Sequence, residues 1–177
     1  MVKNIVTLAV CLLLFMTSSS LSVHAQKQQS FEEFFYGIGY KSVGEAITEC
    51  NKLFKRNIIL PTRIPAVEFT HQFGRCSNLE SRQNDEFEIE YLNQNTNEKR
   101  YRIAVRPSKH KLQVEQHYRI EETYTLKDKT KAVLLRLREF EILVFEKNGL
   151  QYRLGLDGRG LHTSPSEVLV QIANTIK

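Results

Sequence analysis

Thiols, imidazoles and paired carboxylates are the side chains that would do chemistry in a chain of this kind, and they are sparse here. His71, His110, His117 and His162 are scattered, with no H-x-x-x-H or C-x-x-C spacing to gather metal ligands. Each reads as a surface or hydrogen-bonded residue, and no metal is expected. No G-x-S-x-G elbow and no Cys-His signature marks a nucleophile. Acids pair at Glu121 with Glu122 and at Glu139 with Glu141, but they would serve a glycosidase only in a cleft holding two carboxylates about 5 to 10 Å apart. A secreted ribonuclease would need a carboxylate base, an imidazole acid and a cation on the phosphate. Glu88, His117 and Arg102 are the residues that could fill those roles on an open sheet face. Gly158 and Gly160 read as a turn, since a phosphate loop needs more glycines and an immediate helix. No catalytic residue and no cofactor is assigned.

Two cysteines, Cys50 and Cys76, remain once the start of the chain is set aside. Residues 1–25 carry Lys3, an apolar run from Ile5 to Met16, and small residues at Val23 and Ala25. This is the three-part pattern of a secretory signal peptide, with cleavage expected between Ala25 and Gln26. Twelve apolar residues fall short of the roughly 20 that cross a bilayer, so no transmembrane anchor is expected in the mature chain. Cys11 lies inside the apolar run, too early for a lipidated cysteine. In an exported chain an even pair of cysteines reads first as a disulfide. A Cys50–Cys76 bridge would contribute about 3 to 4 kcal/mol on the chain-entropy model; the alternative is that Cys50 is a buried helix residue with a free thiol.

Cleavage there would lower the formal net charge of the 177 residues from +5 to +4, because the leader holds Lys3 and no acid. Arg100, Arg102 and Arg106, Lys127, Lys129 and Lys131, and Arg136 and Arg138 are interleaved with acids. They read as a solvated face, with weak attraction to polyanions as the functional alternative. No nucleic-acid-binding motif accompanies them. With 41% hydrophobic and 25% charged residues, eight glycines and no Trp, the composition excludes collagen-like, low-complexity, disulfide-dense and polytopic membrane classes.

The elements that must position these residues follow from periodicity. Residues 26–41 are polar, then aromatic at Phe31, Phe34, Phe35 and Tyr36, and read as a flexible segment that docks by its rings. Ser42 and Glu45 form a capping box ahead of a helix over 43–55, and Pro61 and Pro65 bracket an extended stretch. From about Val67 to Leu156 the chain alternates with period two. Phe87, Ile89 and Tyr91 share a face with Tyr101, Ile103 and Val105, while Glu88, Glu90, Arg100 and Arg102 take the other. Tyr118, Ile120, Tyr124 and Leu126 lead through a K-D-K-T turn to Val133, Leu135 and Leu137. Asn148-Gly149 predicts a type I′ hairpin pairing Lys147 with Leu150, with Leu143, Phe145, Tyr152, Leu154 and Leu156 on one face. Ser164, Pro165 and Glu167 open a C-terminal helix with an apolar stripe of Val168, Leu169, Ile172, Ala173 and Ile176. The sum is one α+β domain over 42–177, an antiparallel sheet of about six strands with an N-terminal and a C-terminal helix packed on it.

Several of these segments are collinear with a known pattern. They are S-V-G-E-A-I from Ser42, L-P-x-x-I-P at Leu60 to Pro65, I-E-Y-L at Ile89 to Leu92, T-L-K-D-K-T-K-A at Thr125 to Ala132, L-V-F-E-K-N-G-L-Q-Y-R-L at Leu143 to Leu154, and the closing P-S-E-V-L-V-Q-I-A-N-T-I. Over about 42–177 the chain resembles an exported Gram-positive, Bacillus-like domain of unknown function, also found in lipoproteins and in extracytoplasmic parts of anti-sigma-factor-like proteins. Leu150 stands where the family often has Trp, and Lys129 where its K-D-G-T turn has Gly. The resemblance implies a curved antiparallel sheet with packed helices, somewhat like periplasmic lipoprotein carriers, and it transfers no catalytic residue. The expected function is a secreted, non-enzymatic binding or interaction module of the envelope, its partner an envelope component or a small apolar ligand. The alternative is an extracellular hydrolase acting on RNA or cell-wall glycan.

Overall fold

A computed structural model describes residues 29–77, 85–96, 100–159 and 161–177. The leader and the Ala25–Gln26 cleavage site lie outside the described residues.

Seven strands form one open antiparallel sheet: β1 (His71–Ser77), β2 (Glu86–Leu92), β3 (Tyr101–Pro107), β4 (Ile120–Thr125), β5 (Lys131–Leu137), β6 (Phe140–Lys147) and β7 (Leu150–Asp157), in the spatial order β1-β2-β3-β7-β6-β5-β4. Two meanders thus meet where β3 pairs with β7. The strand beyond the expected six is β1, HQFGRCS, which lies in the stretch read as alternating and turns Gln72, Gly74 and Cys76 to the same face as Tyr91, Ile89 and Phe87. A Cβ on Gly74 would come within 2.8 Å of both Ala46 Cβ and Val43 Cα, so only glycine lets the first long helix lie this close.

That helix, α2 (Val43–Phe54), follows α1 (Phe31–Gly37) and begins with the expected box: the Ser42 hydroxyl accepts from Glu45 N–H and the Glu45 carboxylate from Ser42 N–H. Lys55 caps it in the left-handed conformation, φ 53°. Cys50 on α2 and Cys76 on β1 are joined by a disulfide, their Cα atoms 5.5 Å apart. The C-terminal helix α4 (Pro165–Ala173) has Ser164 as N-cap and Pro165 in its first turn, but not the capping box expected with Glu167. The Ser164 hydroxyl instead sits 2.8 Å from the Ser166 hydroxyl, which takes it away from the helix N–H groups. Both helices cover one face, here called inner. Ala46, Cys50, Phe54, Leu169, Ile172 and Ile176 bury it together with Phe87, Tyr101, Phe145, Tyr152 and Leu154. Each such large side chain withdrawn from water contributes about 1.5 to 3 kcal/mol.

Hairpin registers follow the sequence reading. Phe87 opposes Val105, Ile89 Ile103 and Tyr91 Tyr101. Lys147 opposes Leu150 across Asn148 and Gly149, whose positive φ values of 52° and 70° suit a type I′ turn. In β4 a bulge between Ile120 and Glu122 interrupts the simple alternation. Ile120 therefore packs with Val133, Leu135 and Val144 on the outer face, while Tyr124 and Leu126 join the inner core.

The outer face is covered only at its flanks. Residues 30–41, expected to be part of a flexible segment, contain α1, capped by a Ser30/Glu33 box. Phe31 and Phe35 of α1 pack on Phe73, with the Phe35 and Phe73 rings stacked at 4.4 Å. At the other flank the connection from β3 to β4, including a 3-10 turn at Ser108–His110 and α3 (Val114–His117), lays Leu112 and Val114 over Val133, Leu135 and Val144. Gln151 holds this strap by accepting from Leu112 N–H (2.9 Å) and donating to Leu112 C=O (3.0 Å). The middle of the outer face stays open.

Candidate functional site

Period-two alternation in β2, β3 and β7 sends every second residue to that open centre. From β2 come Glu86, Glu88 and Glu90, from β3 Arg102, Ala104 and Arg106, and from β7 Gln151, Arg153 and Gly155. Two cross-strand rows run over it. One passes Arg75, Glu88, Ala104, Arg153, Val144 and Val133; the next passes Phe73, Glu90, Arg102, Gly155, Ile142 and Leu135. The first goes from charged to apolar, the second sets Glu90 and Arg102 between Phe73 and the apolar Ile142 and Leu135, and each has a small residue near the change, Ala104 or Gly155. Beside them Arg100 lies over Phe140, its guanidinium carbon 5.8 Å from the ring centroid. The outcome is a groove of about 260 Å³, with Arg100, Arg102, Arg153 and Glu90 on one side and Leu137, Phe140 and Ile142 on the other.

The carboxylates are heavily engaged. Glu88, only 2% exposed, accepts from Arg75 and Arg102 and from the Tyr40 hydroxyl at 3.0 Å. Burial works against its charge, but Arg102, Arg75 and the phenol more than offset it, and its pKa is lowered. Tyr40 is pushed up by burial and by Glu88 and Glu90. Glu90 shows the reverse balance: burial raises its pKa despite Arg102 at 3.2 Å and Arg100 at 3.6 Å. Glu86 is shared by Arg106 and Arg153. Arg153 has its pKa lowered, by burial first and then by Arg106 and Arg102, although Glu86 opposes the shift. Five guanidiniums, Arg75, Arg100, Arg102, Arg106 and Arg153, thus face three carboxylates.

Of the ribonuclease trio, the structure joins Glu88 to Arg102 but does not add His117, which is exposed at the end of α3 on the far flank. Glu88 cannot serve as a base while two guanidiniums hold its proton affinity down. Glu121 and Glu122 lie on the edge strand β4, where Glu122 accepts from the Tyr124 hydroxyl at 2.5 Å. Glu141 is held by Arg136 at 2.7 Å, and Glu139 is exposed in the turn before it. His71 bridges Thr70 Oγ1 (2.8 Å) and Glu32 (3.0 Å) beside the rings of Phe31 and Phe73. His110 lies in the 3-10 turn and His162 is exposed. Among the described residues no three or more His, Cys, Asp or Glu side chains are grouped to hold a metal ion.

A larger cleft, about 420 Å³, opens between the 111–115 strap and β5 and β6. Its charges satisfy one another, Lys111 with Glu146 at 2.5 Å and Lys131 with Glu115 at 3.4 Å. On the inner side Tyr101, Tyr152, Phe87 and Phe145 fill the space between sheet and helices, and the openings lie at its rim, about 410 Å³ beside Phe54 and Pro107 and about 820 Å³ along the outward side of α2 from Lys41 to Leu53. Sequence reasoning placed Glu88, Glu90, Arg100 and Arg102 together on one face but read them as solvated. It missed Arg153, which lies between Tyr152 and Leu154 with no local signal and joins the cluster only because β7 lies beside β3.

The fold and site define a class, an α+β domain with an open, half-cationic sheet face. Comparison of the chain with protein-family models, with curated proteins and with solved structures finds no match.

Proposed function

We propose that the protein is an exported, non-enzymatic binding module of the bacterial envelope, and that the centre of the outer sheet face is its binding surface. The observation that carries this reading is the imbalance there: five guanidiniums against three carboxylates, around a groove that neither α1 nor the strap covers. The signal-peptide pattern, the Cys50–Cys76 disulfide and the resemblance to exported Gram-positive domains support export. No helix among the described residues is long and apolar enough to cross a membrane. A hydrolase would have to draw its acid or base from Glu90, the one acid of the cluster whose pKa is raised, and among the described residues no imidazole stands beside it.

The reading is tested by thermal unfolding against a panel of poly(glycerol phosphate), anionic lipids, neutral wall glycan and culture-derived peptides, using the protein and its Arg100→Ala/Arg102→Ala variant. Those two side chains are 44% and 43% exposed, but Arg102 also pairs with the buried Glu88 and Glu90, so each protein's shift is read against its own ligand-free Tm. At least one anionic partner is expected to raise Tm in a salt-sensitive way, and the variant should lose the effect. A panel without any binder, or a shift that survives in the variant, would overturn it. Export is checked separately by the intact mass of the protein from the culture medium, which should begin at Gln26.

A further inference from the structure

We infer that the outer-face groove takes a free single-chain amphiphile with an anionic head, a carboxylate or phosphate on an alkyl tail; this rests on reading the open face as the binding surface. Across the groove the lining changes from Arg100, Arg102, Arg153 and Glu90 to Leu137 of β5 and Phe140 and Ile142 of β6. A ligand lying across it therefore meets cations at one end and hydrocarbon at the other.

Charge supplies the head. Five guanidiniums share three carboxylates, and Arg153 uses one nitrogen on Glu86 while its Nε, out of contact with solvent, has no hydrogen-bond partner. Arg102 and Arg106 crowd it with like charge, which an anion would relieve. A planar guanidinium fork suits either a carboxylate or a phosphate. Shape supplies the tail. Ala104 and Gly155 are the small residues of the groove floor, and Leu137, 42% exposed, and Phe140 stand at its apolar side. The floor is recessed, so one chain can enter it while the flat surface of a bilayer cannot. A volume of about 260 Å³ lies just under that of drug-sized sites, which fits a head with the first part of a tail.

Gly155 gives a test that leaves every charge in place. A Cβ there would be in ordinary contact, 3.7 Å from Ile142 Cγ1 and 3.9 Å from Phe140 Cδ1. Gly155→Val should therefore keep the strand and fill the groove. Calorimetric titration of the protein with decyl phosphate and with decanoate, both below their micelle concentrations, is compared with inorganic phosphate, decyl maltoside and phosphatidylglycerol vesicles. At least one decyl anion is expected to bind, and the tighter of the two names the head. Each methylene removed should weaken binding about fourfold. Gly155→Val should lose about tenfold or more in affinity with Tm unchanged or raised. Should that variant fold poorly, Arg100→Ala/Arg102→Ala supplies the same readout, a loss of about tenfold or more.

Binding that ignores tail length, that matches inorganic phosphate, that occurs only on vesicles, or that survives in these variants would overturn the inference. So would the absence of binding by both decyl anions up to about 1 mM. Capture of poly(glycerol phosphate) through Arg100 and Arg102 without any tail dependence would sink the amphiphile while leaving the binding face intact, and loss of both would sink the two together.

Discussion

The two faces of the sheet are drawn from the same strands, residue by residue, and solve different problems. On the inner face, β2, β3 and β7 contribute Phe87, Ile89, Tyr101, Ile103, Tyr152 and Leu154, all but fully buried beneath α2 and α4. On the outer face the alternate positions hold Glu86, Glu88, Glu90, Arg102, Arg106 and Arg153, and no helix among the described residues lies over them. Hydrophobic burial is nondirectional and is complete once α2 and α4 are docked. The charged face is directional, and it is finished with two more cations than anions. The difference separates what makes the protein fold from what it can offer a partner.

The comparison breaks first on the inner side. Phe87→Ala should cost about 3 to 5 kcal/mol in urea unfolding, since Phe87 is fully buried beside the disulfide strand. Reducing Cys50–Cys76 should cost about 3 to 4 kcal/mol for a bridge between positions 26 apart, read as a lower urea midpoint with dithiothreitol. On the outer side Glu88→Gln should cost about 1 to 3 kcal/mol, because it leaves Arg75 without its counter-charge and Arg102 with Glu90 alone.

Acid titration sharpens the contrast within the outer face. Glu88 has a lowered pKa, so its stabilisation is present above the ordinary carboxylate range and is lost as pH falls through its folded value. Glu88→Gln should flatten the acid limb of the stability curve. Glu90 has a raised pKa, so its charged form opposes folding, and stability falls as pH rises through that window. Glu90→Gln should therefore be neutral or stabilising at pH 7. The smallest effect is expected for Arg100→Ala, within about 0.5 kcal/mol, because the side chain is 44% exposed and its ion pair is long, 3.6 Å.

Legibility in the sequence divides along the same line. Asn148-Gly149 fixed the β6–β7 register because a type I′ turn demands two residues of positive φ, and Ser42 with Glu45 marked α2 by a local hydrogen-bond pattern. Strand β1 fell inside the alternating stretch without being set apart as a strand, because Gly74 and Cys76 give its inward side no large apolar residue, and α1 was missed because Ser30 and Glu33 were overshadowed by the aromatic run around them. The bulge at Ile120 left no trace in the alternation. The outer-face cluster was half legible: Glu88, Glu90, Arg100 and Arg102 share a hairpin, so their common face follows from period two. Arg153 and Gly155 come from a strand about 50 residues further on, and the pairing of β3 with β7 is a property of the assembled sheet rather than of any segment. What turns a solvated pattern into a groove is that nonlocal pairing.

The most direct test of the division between the faces is a ¹H–¹⁵N titration of the labelled protein with decyl phosphate. Backbone amide shifts should concentrate at Arg102, Ala104, Arg153, Gly155 and Ile142, while those of α2 and α4 stay in place. Shifts centred on α2 and α4, or on the strap and its 420 Å³ cleft with β3 and β7 unmoved, would contradict it.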